Sequence, residues 1–258
     1  MNINELKASL LEGKSKKQIA KDFSIPIYQL NKIISDNSLQ SYYSFSISKN
    51  NQKSNKSVDI DFFKCIDDEF KAYIFGFILS DGWISEKTLG FTVQHIDCDI
   101  LLKIKSSMQS NHKVSYREFT DKNPQNSLII SSKEIVDDLI KLGITTSKSF
   151  EASIPFDKIP SHLIRHTIRG IFDGDGSFSQ NNPCIATSSS ALKDDLVKWS
   201  ESVFNYTPSI AVSGNHFRIY FRKPAFNVIC NIYQDSQIYL DRKYLSFLSY
   251  YEHRMKNQ

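Results

Sequence analysis

Ile74-Phe75-Gly76-Phe77-Ile78-Leu79-Ser80-Asp81-Gly82 recurs, in chemistry if not in letters, as Ile168-Arg169-Gly170-Ile171-Phe172-Asp173-Gly174-Asp175-Gly176. Each stretch is an apolar helical run that ends in Asp-Gly. A carboxylate in the last turn of a helix faces the negative end of the macrodipole, so its placement there costs stability. The same unfavourable choice made twice points to function. The simplest use of two such carboxylates, Asp81 and Asp175, is to share divalent metal ions, with Gly82 and Gly176 expected to supply the left-handed residue that ends each helix.

Outward from the first motif the pattern runs helix, strands around Phe91 to Gln94, helix Asp97 to Met108, strands near Val114–Phe119 and Leu128–Ile130, and helix Ser132 to Leu142. After His162 it starts again: a helix through Asp175, strand Cys184–Thr187, helix Ala191 to Phe204, strands Ile210–Ser213 and Phe217–Arg222, and a helix from Ala225. Asp81 to Asp175, Gln94 to Ser188 and Leu102 to Leu196 share an offset of 94 residues, and Lys148 to Lys243 is 95. This spacing predicts a tandem duplication in an α+β chain, with repeats over 59–160 and 161–258 folded as two pseudo-symmetric αββαββα halves. Gly76 and Ser80, like Gly170 and Gly174, are small residues four apart on one helix face. They let two helix backbones approach closely and bring Asp81 towards Asp175.

Residues 3–37 read as three short helices with one small core of Leu6, Leu10, Ile19, Ala20, Phe23, Ile27, Leu30, Ile33 and Ile34. Segment 1–37 resembles a helix-turn-helix with Tyr28, Gln29 and Lys32 on the exposed side of its third helix; the alternative is a helical hairpin used for packing or dimerisation. Phe23-Ser24 lacks the glycine that many such turns carry. Residues 38–58 turn to Ser, Asn, Lys and Gln and read as a linker, in which Tyr42, Tyr43 and Phe45 could still dock.

The 258 residues, 40% hydrophobic and 23% charged, have room for one sizeable core and a small accessory domain. The net charge is +4, and residues 1–58 carry +5 of it, so the basic excess lies wholly in the N-terminal segment. A basic arm ahead of a near-neutral body suits a polyanionic partner. Met1-Asn2-Ile3-Asn4-Glu5 has no signal-peptide pattern and the apolar runs are too short to span a bilayer, which gives an intracellular expectation: a bacterial or phage-infected cytoplasm, or an organelle. The four cysteines form no paired motif and are expected to be buried thiols.

The two motifs at one offset resemble those of a two-repeat, single-chain LAGLIDADG homing endonuclease over residues 66–258. The resemblance implies a monomer whose antiparallel sheets form a saddle over double-stranded DNA with a long, weakly palindromic target. It implies that Asp81 and Asp175 bind catalytic Mg²⁺ (or Mn²⁺), and that both strands are cut across the minor groove with short 3′ overhangs. It further implies one basic residue per half that polarises water or phosphate, at Lys148 and Lys243, and a pocket glutamine at Gln94, where the second half has Ser188. Leu79 departs from the pattern where the second half keeps Asp173, a secondary or structural carboxylate. Strand alternation then places Thr92, Lys113, Ser115, Arg117, Thr187, Ser213, Arg218, Tyr220 and Arg222 towards the DNA groove, as readers of base edges or neutralisers of phosphate.

The implied biological role is homing of an intron, intein or free-standing gene. Two rivals share the fold: an RNA-binding maturase and a catalytically inactive DNA-binding regulator. His162 and His166 are four apart but lack the Glu and third ligand of a zinc site, and no phosphate-cradling Gly-rich loop is present.

Overall fold

The computed structural model describes residues 3–11, 16–37, 39, 56–145, 151–178 and 182–256. Lys148 and most of the 38–58 segment, including Tyr42, Tyr43 and Phe45, lie outside the described residues. The chain divides into two units, residues 1–57 with 109–111 and residues 58–108 with 112–258.

In the first unit, α1 (Ile3–Leu11), α2 (Lys16–Asp22) and α3 (Ile27–Asp36) bury Leu6, Leu10, Ile19, Ala20, Leu30 and Ile34. Ile27, expected in this core, is exposed. Helical side chains lean towards the N-terminus, so the first residue of α3 projects past the core. Tyr28, Gln29 and Lys32 are exposed as expected for that face. At the turn between α2 and α3, Ser24 takes the left-handed conformation (φ 53°) that a glycine adopts at lower cost.

The second unit begins with α4 (Glu69–Ser80), β1 (Gly82–Ser85), β2 (Thr88–Gln94), α5 (Cys98–Ser107), β3 (Val114–Arg117), β4 (Gln125–Ser131) and α6 (Lys133–Lys141). It continues with α7 (Ile164–Asp175), β5 (Gly176–Ser177), β6 (Cys184–Thr187), α8 (Ser190–Phe204), β7 (Ser209–Ser213), β8 (His216–Tyr220), α9 (Ala225–Tyr233) and α10 (Asp241–Met255). Two antiparallel four-stranded sheets result, ordered β1-β2-β4-β3 and β5-β6-β8-β7, the same order strand for strand. Side-chain caps start three of the helices: Asp68 accepts from the Lys71 amide (2.8 Å) at α4, Ser132 from Ile135 (3.3 Å) at α6 and Ser189 from Leu192 (3.2 Å) at α8. The helix α10 is an addition to the expected pattern. Its buried residues, Lys243, Phe247 and Tyr250, keep helical spacing, but a lysine heads the row.

Helices α4 and α7 form the centre. Every residue of α4 from Ala72 to Leu79 is buried, with Phe77 stacked on Phe91 of β2 at 6.1 Å. A methyl group at Gly76 would overlap the Thr167 carbonyl, and one at Gly170 would overlap the Tyr73 carbonyl. Thr167 and Tyr73 are themselves one offset apart, so the two contacts are images of each other. Gly82 and Gly176 are not left-handed, contrary to expectation. Gly176 is extended (φ −81°, ψ 162°), Gly82 opens β1, and each is needed for close approach instead: a Cβ would collide with Ile78 or Phe172 of the preceding turn.

Polar contacts stitch the halves together away from this crossing. Lys103 of α5 donates to Asp99 (3.1 Å), Asp241 (2.6 Å) and the Tyr239 carbonyl (2.6 Å), while Arg242 grips both oxygens of Asp97 at 2.9 and 3.0 Å. Cys98 and Cys184 are buried, whereas Cys65 is exposed and donates to Asp67 in the polar approach to α4, a correction to the expectation of buried thiols. Among the described residues no helix is long and apolar enough to cross a membrane.

Candidate functional site

Asp81 caps the C-terminus of α4 and Asp175 is the last residue of α7. Each opens into its own cleft. The first, about 260 Å³, brings Asp81 together with Thr92, Gln94 and Gln125 of the first sheet and with Asp97 and Arg242. The second, about 310 Å³, brings Asp175 together with Ser188, Thr187 and His216 of the second sheet. Between them Gly174 stands where a side chain would press on Ser80 Oγ and come within 3.3 Å of Asp81 Cγ. The missing side chain keeps the space beside the carboxylate open.

Two carboxylates on either side of such a gap suit a hard divalent cation, because Mg²⁺ takes oxygen donors and commonly uses one or two carboxylates plus phosphate and water. Among the described residues no group of three or more His, Cys, Asp and Glu gathers around one point, so the rest of the coordination would fall to substrate and solvent. The residues present fit the ion on those terms.

Asp173 has a different task. It is fully buried and accepts from the Tyr73 hydroxyl (2.7 Å), the Tyr233 hydroxyl and the Leu240 amide (2.7 Å); burial pushes its pKa up. Its oxygens are occupied by donors from α4, α9 and the segment before α10, the pattern of a structural carboxylate. Leu79, at the matching place in α4, is packed in the core.

Lys243 is also buried. Its ammonium donates to the carbonyls of Phe172 (3.3 Å) and Gly176, closing the C-terminal end of α7 beside Asp175. Burial pushes its pKa down. The cation that lines the Asp81 cleft is the adjacent Arg242, fixed by Asp97. Sequence reasoning missed this residue, and the shift of one position within Asp241-Arg242-Lys243 is the only signal that pointed to it.

The exposed face of the first sheet is ordered in rows across its strands. Trp83, Gly90 and Ile129 form one row; Thr92, Ser127 and Ser115 the next; Gln94, Gln125 and Arg117 the one nearest the cleft. Thr92 and Ser127 share a hydrogen bond at 3.0 Å, and Asn123 donates to Gln94 at 3.4 Å. Lys113 is exposed just before β3. On the second sheet Ala186 pairs with Arg218, Cys184 with Tyr220, and His216 with Ser213; the Arg222 guanidinium, just past β8, lies 4.8 Å from the Tyr220 ring centre. Thr187 requires correction. It pairs with Phe217 and shares the pleat of buried Ile185, and its hydroxyl accepts from the Ser189 amide (3.1 Å), so Ala186 takes the place expected of it. Alternation was ambiguous there because Cys184 and Ile185 are both buried.

A buried ionic network behind the motif helices had no sequence signal. Arg169, fully buried, donates to Glu69 (2.6 Å), to the carbonyls of Ile238 (2.9 Å) and Ile232 (2.8 Å), and bonds His166 Nδ1 (2.7 Å). Burial, and then the Arg169 charge, push the His166 pKa down to about 4, while burial lifts Asp99 to about 6. The two act oppositely on stability. Folded Asp99 keeps a proton that the unfolded chain releases, so its contribution is lost as pH rises towards 6. Folded His166 refuses a proton that the unfolded chain accepts, so its contribution is lost as pH falls towards 4. Relative to wild type, Asp99→Asn is therefore expected to gain melting temperature as pH rises from about 4 to neutrality, and His166→Gln to gain on acidification. Calorimetric scans across that range check both signs.

No family model matches the chain. A curated relative, the replication factor C small subunit of Methanocaldococcus jannaschii, is 25% identical over 125 residues, which amount to 47% of this chain and 7% of that protein. The chain thus matches only a small part of its relative's length. The crystal structure of I-DmoI in complex with DNA and Ca superposes with a TM-score of 0.51 at 10% identity, covering 74% of this chain and 99% of that one. The homing endonuclease I-WcaI bound to its DNA recognition sequence gives 0.49 at 14% identity (67% and 84% covered), and full-length WhiA from Thermatoga maritima gives 0.47 at 14% (76% and 65%). The likeness to I-DmoI shows the fold: this is the LAGLIDADG architecture.

Proposed function

We propose that the protein is a site-specific double-strand DNA endonuclease that hydrolyses phosphodiesters with divalent ions, Mg²⁺ or Mn²⁺, shared by Asp81 and Asp175. The observation that carries this reading is the pair of carboxylates at the ends of two helices in backbone contact, each opening into a cleft continuous with the exposed face of one sheet.

When bound, the ions supply a positioned, acidified water and neutralise charge on the phosphate and the leaving oxygen. The chain's residues do the remainder. The rows Thr92–Ser127–Ser115 and Gln94–Gln125–Arg117, with Lys113, Arg218, Tyr220, Arg222 and Ser213, meet base edges and phosphates along the groove. Gln94 orients solvent in the first cleft. Arg242, held by Asp97, presents its guanidinium to phosphate there, and Lys243 fixes the turn that carries Asp175. Lys148 is assigned the part of the basic residue that polarises water or phosphate in the first half. The N-terminal helices, through Tyr28, Gln29 and Lys32, extend the footprint by effective concentration as a tethered helix-turn-helix. A monomer with two half-sites suffices.

A plasmid library with randomised inserts, incubated with purified protein and Mg²⁺, is expected to yield linearised members sharing one site. Asp81→Asn and Asp175→Asn are each expected to stop cleavage while leaving binding measurable by gel shift. Tight DNA binding without cleavage by the wild type would assign the regulator instead, and preference for RNA the maturase.

A further inference from the structure

The two clefts do not carry the same chemistry. In the first, the positions flanking the carboxylate are Gln94 and Gln125, directly paired across β2 and β4. Their structural counterparts in the second are Ser188, just past β6, and His216 of β8, joined by a hydrogen bond between Ser188 Oγ and His216 Nδ1 at 2.8 Å. The correspondence follows from register: Thr92 pairs with Ser127 as Ala186 pairs with Arg218, so the residue two before Arg218 answers to the residue two before Ser127. One cleft therefore holds two amides, which cannot take up a proton. The other holds an imidazole, which can.

Resting on the endonuclease reading, we infer that His216 is a proton acceptor for hydrolysis at the Asp175 half-site, and that the Asp81 half-site works without one. In the tautomer that donates Nδ1–H to Ser188, Nε2 keeps its lone pair, and the Ser188 bond and the backbone pairing of His216 with Ser213 place the ring at the cleft wall. The water oxygen bonds to phosphorus as the bond from phosphorus to the 3′ oxygen breaks. The water proton passes to Nε2, and the departing 3′ oxygen takes a proton from solvent. Ser188 is a positioning residue in this scheme: it fixes which nitrogen is free. Among the described residues, the charged and titratable groups on the ring's side are Asp175 across the cleft and Arg218 two residues further along the same face.

The test uses the full chain, Mg²⁺ and the site selected from the plasmid library, with each strand end-labelled separately. His216→Ala is expected to slow cleavage of one strand by about 100-fold, the size of a general-base contribution, and leave the other unchanged. Added imidazole should restore the slowed strand. His216→Gln, which keeps a polar side chain able to bond Ser188 but cannot take the proton, should be slow on the same strand. Equal slowing of both strands, no slowing, failure of imidazole to rescue, or full activity in His216→Gln would each overturn the inference while the wild type still cuts. A wild type that cuts neither strand overturns the endonuclease reading and this one with it.

Discussion

Alanine at Gly170 is expected to cost the second unit about 3 kcal/mol or more, the upper range of overpacking penalties, because the added methyl meets only backbone. The Tyr73 carbonyl, the Phe77 amide nitrogen (2.6 Å) and the Gly76 carbonyl carbon (2.9 Å) all occupy its place. None can swing aside as a flexible side chain would, so α4 and α7 must move apart. Gly76→Ala makes the mirror-image collision with Thr167 and should cost a similar amount. The double variant should cost much less than the sum, since one separation relieves both clashes. Denaturant melts of the two single variants and the double variant decide it, and strict additivity would show that the helices do not part as one body. Separation would also carry Asp81 away from Asp175, so on the endonuclease reading the residual folded protein should cut poorly.

The second large effect lies at Arg169. Methionine there removes the guanidinium bonded to Glu69 in the buried network and strips donors from the Ile232 and Ile238 carbonyls. Breaking a buried pair from one side costs about 3–5 kcal/mol, most of it the uncompensated charge left behind. Glu69 keeps the Gln237 amide (2.7 Å), which does not replace a guanidinium. Adding Glu69→Gln to Arg169→Met should recover part of the loss, because a neutral amide needs no counter-ion. Urea denaturation of the single and double variants measures the recovery; if none occurs, the carbonyls rather than the carboxylate dominate the penalty.

These two sites show what a sequence does and does not make readable. The small residues at Gly76, Ser80, Gly170 and Gly174 stand at helical spacing within motifs of one offset, so a close crossing follows from local pattern alone. The two antiparallel sheets likewise follow from alternation and the repeat. Arg169, by contrast, sits in the same apolar run and looks like a tolerated substitution. Its partners are a hundred residues upstream and some seventy downstream, and only the fold brings them together. Lys243 illustrates a subtler limit. A lysine at a matching offset suggests the basic residue that polarises water or phosphate, yet burial and two backbone carbonyls make it part of the helix end, and Arg242 beside it lines the cleft. Thr187 went to the wrong face because two consecutive buried residues, Cys184 and Ile185, hide the pleat. The helix α10 was not foreseen because its buried row begins with that same lysine.

The seam between the halves sets how freely they can be recombined. Asp97 and Asp99 belong to one half, Arg242 and Asp241 to the other, and Lys103 reaches across to both Asp241 and the Tyr239 carbonyl. Position 191, one offset from Asp97, is an alanine, so the carboxylate that Arg242 grips is not repeated in the second half. A half transplanted onto a foreign partner could keep its glycine crossing and still lose these handholds. Shuffling among relatives would thus be governed less by the two sheets than by a keyed joint whose two sides must be inherited together.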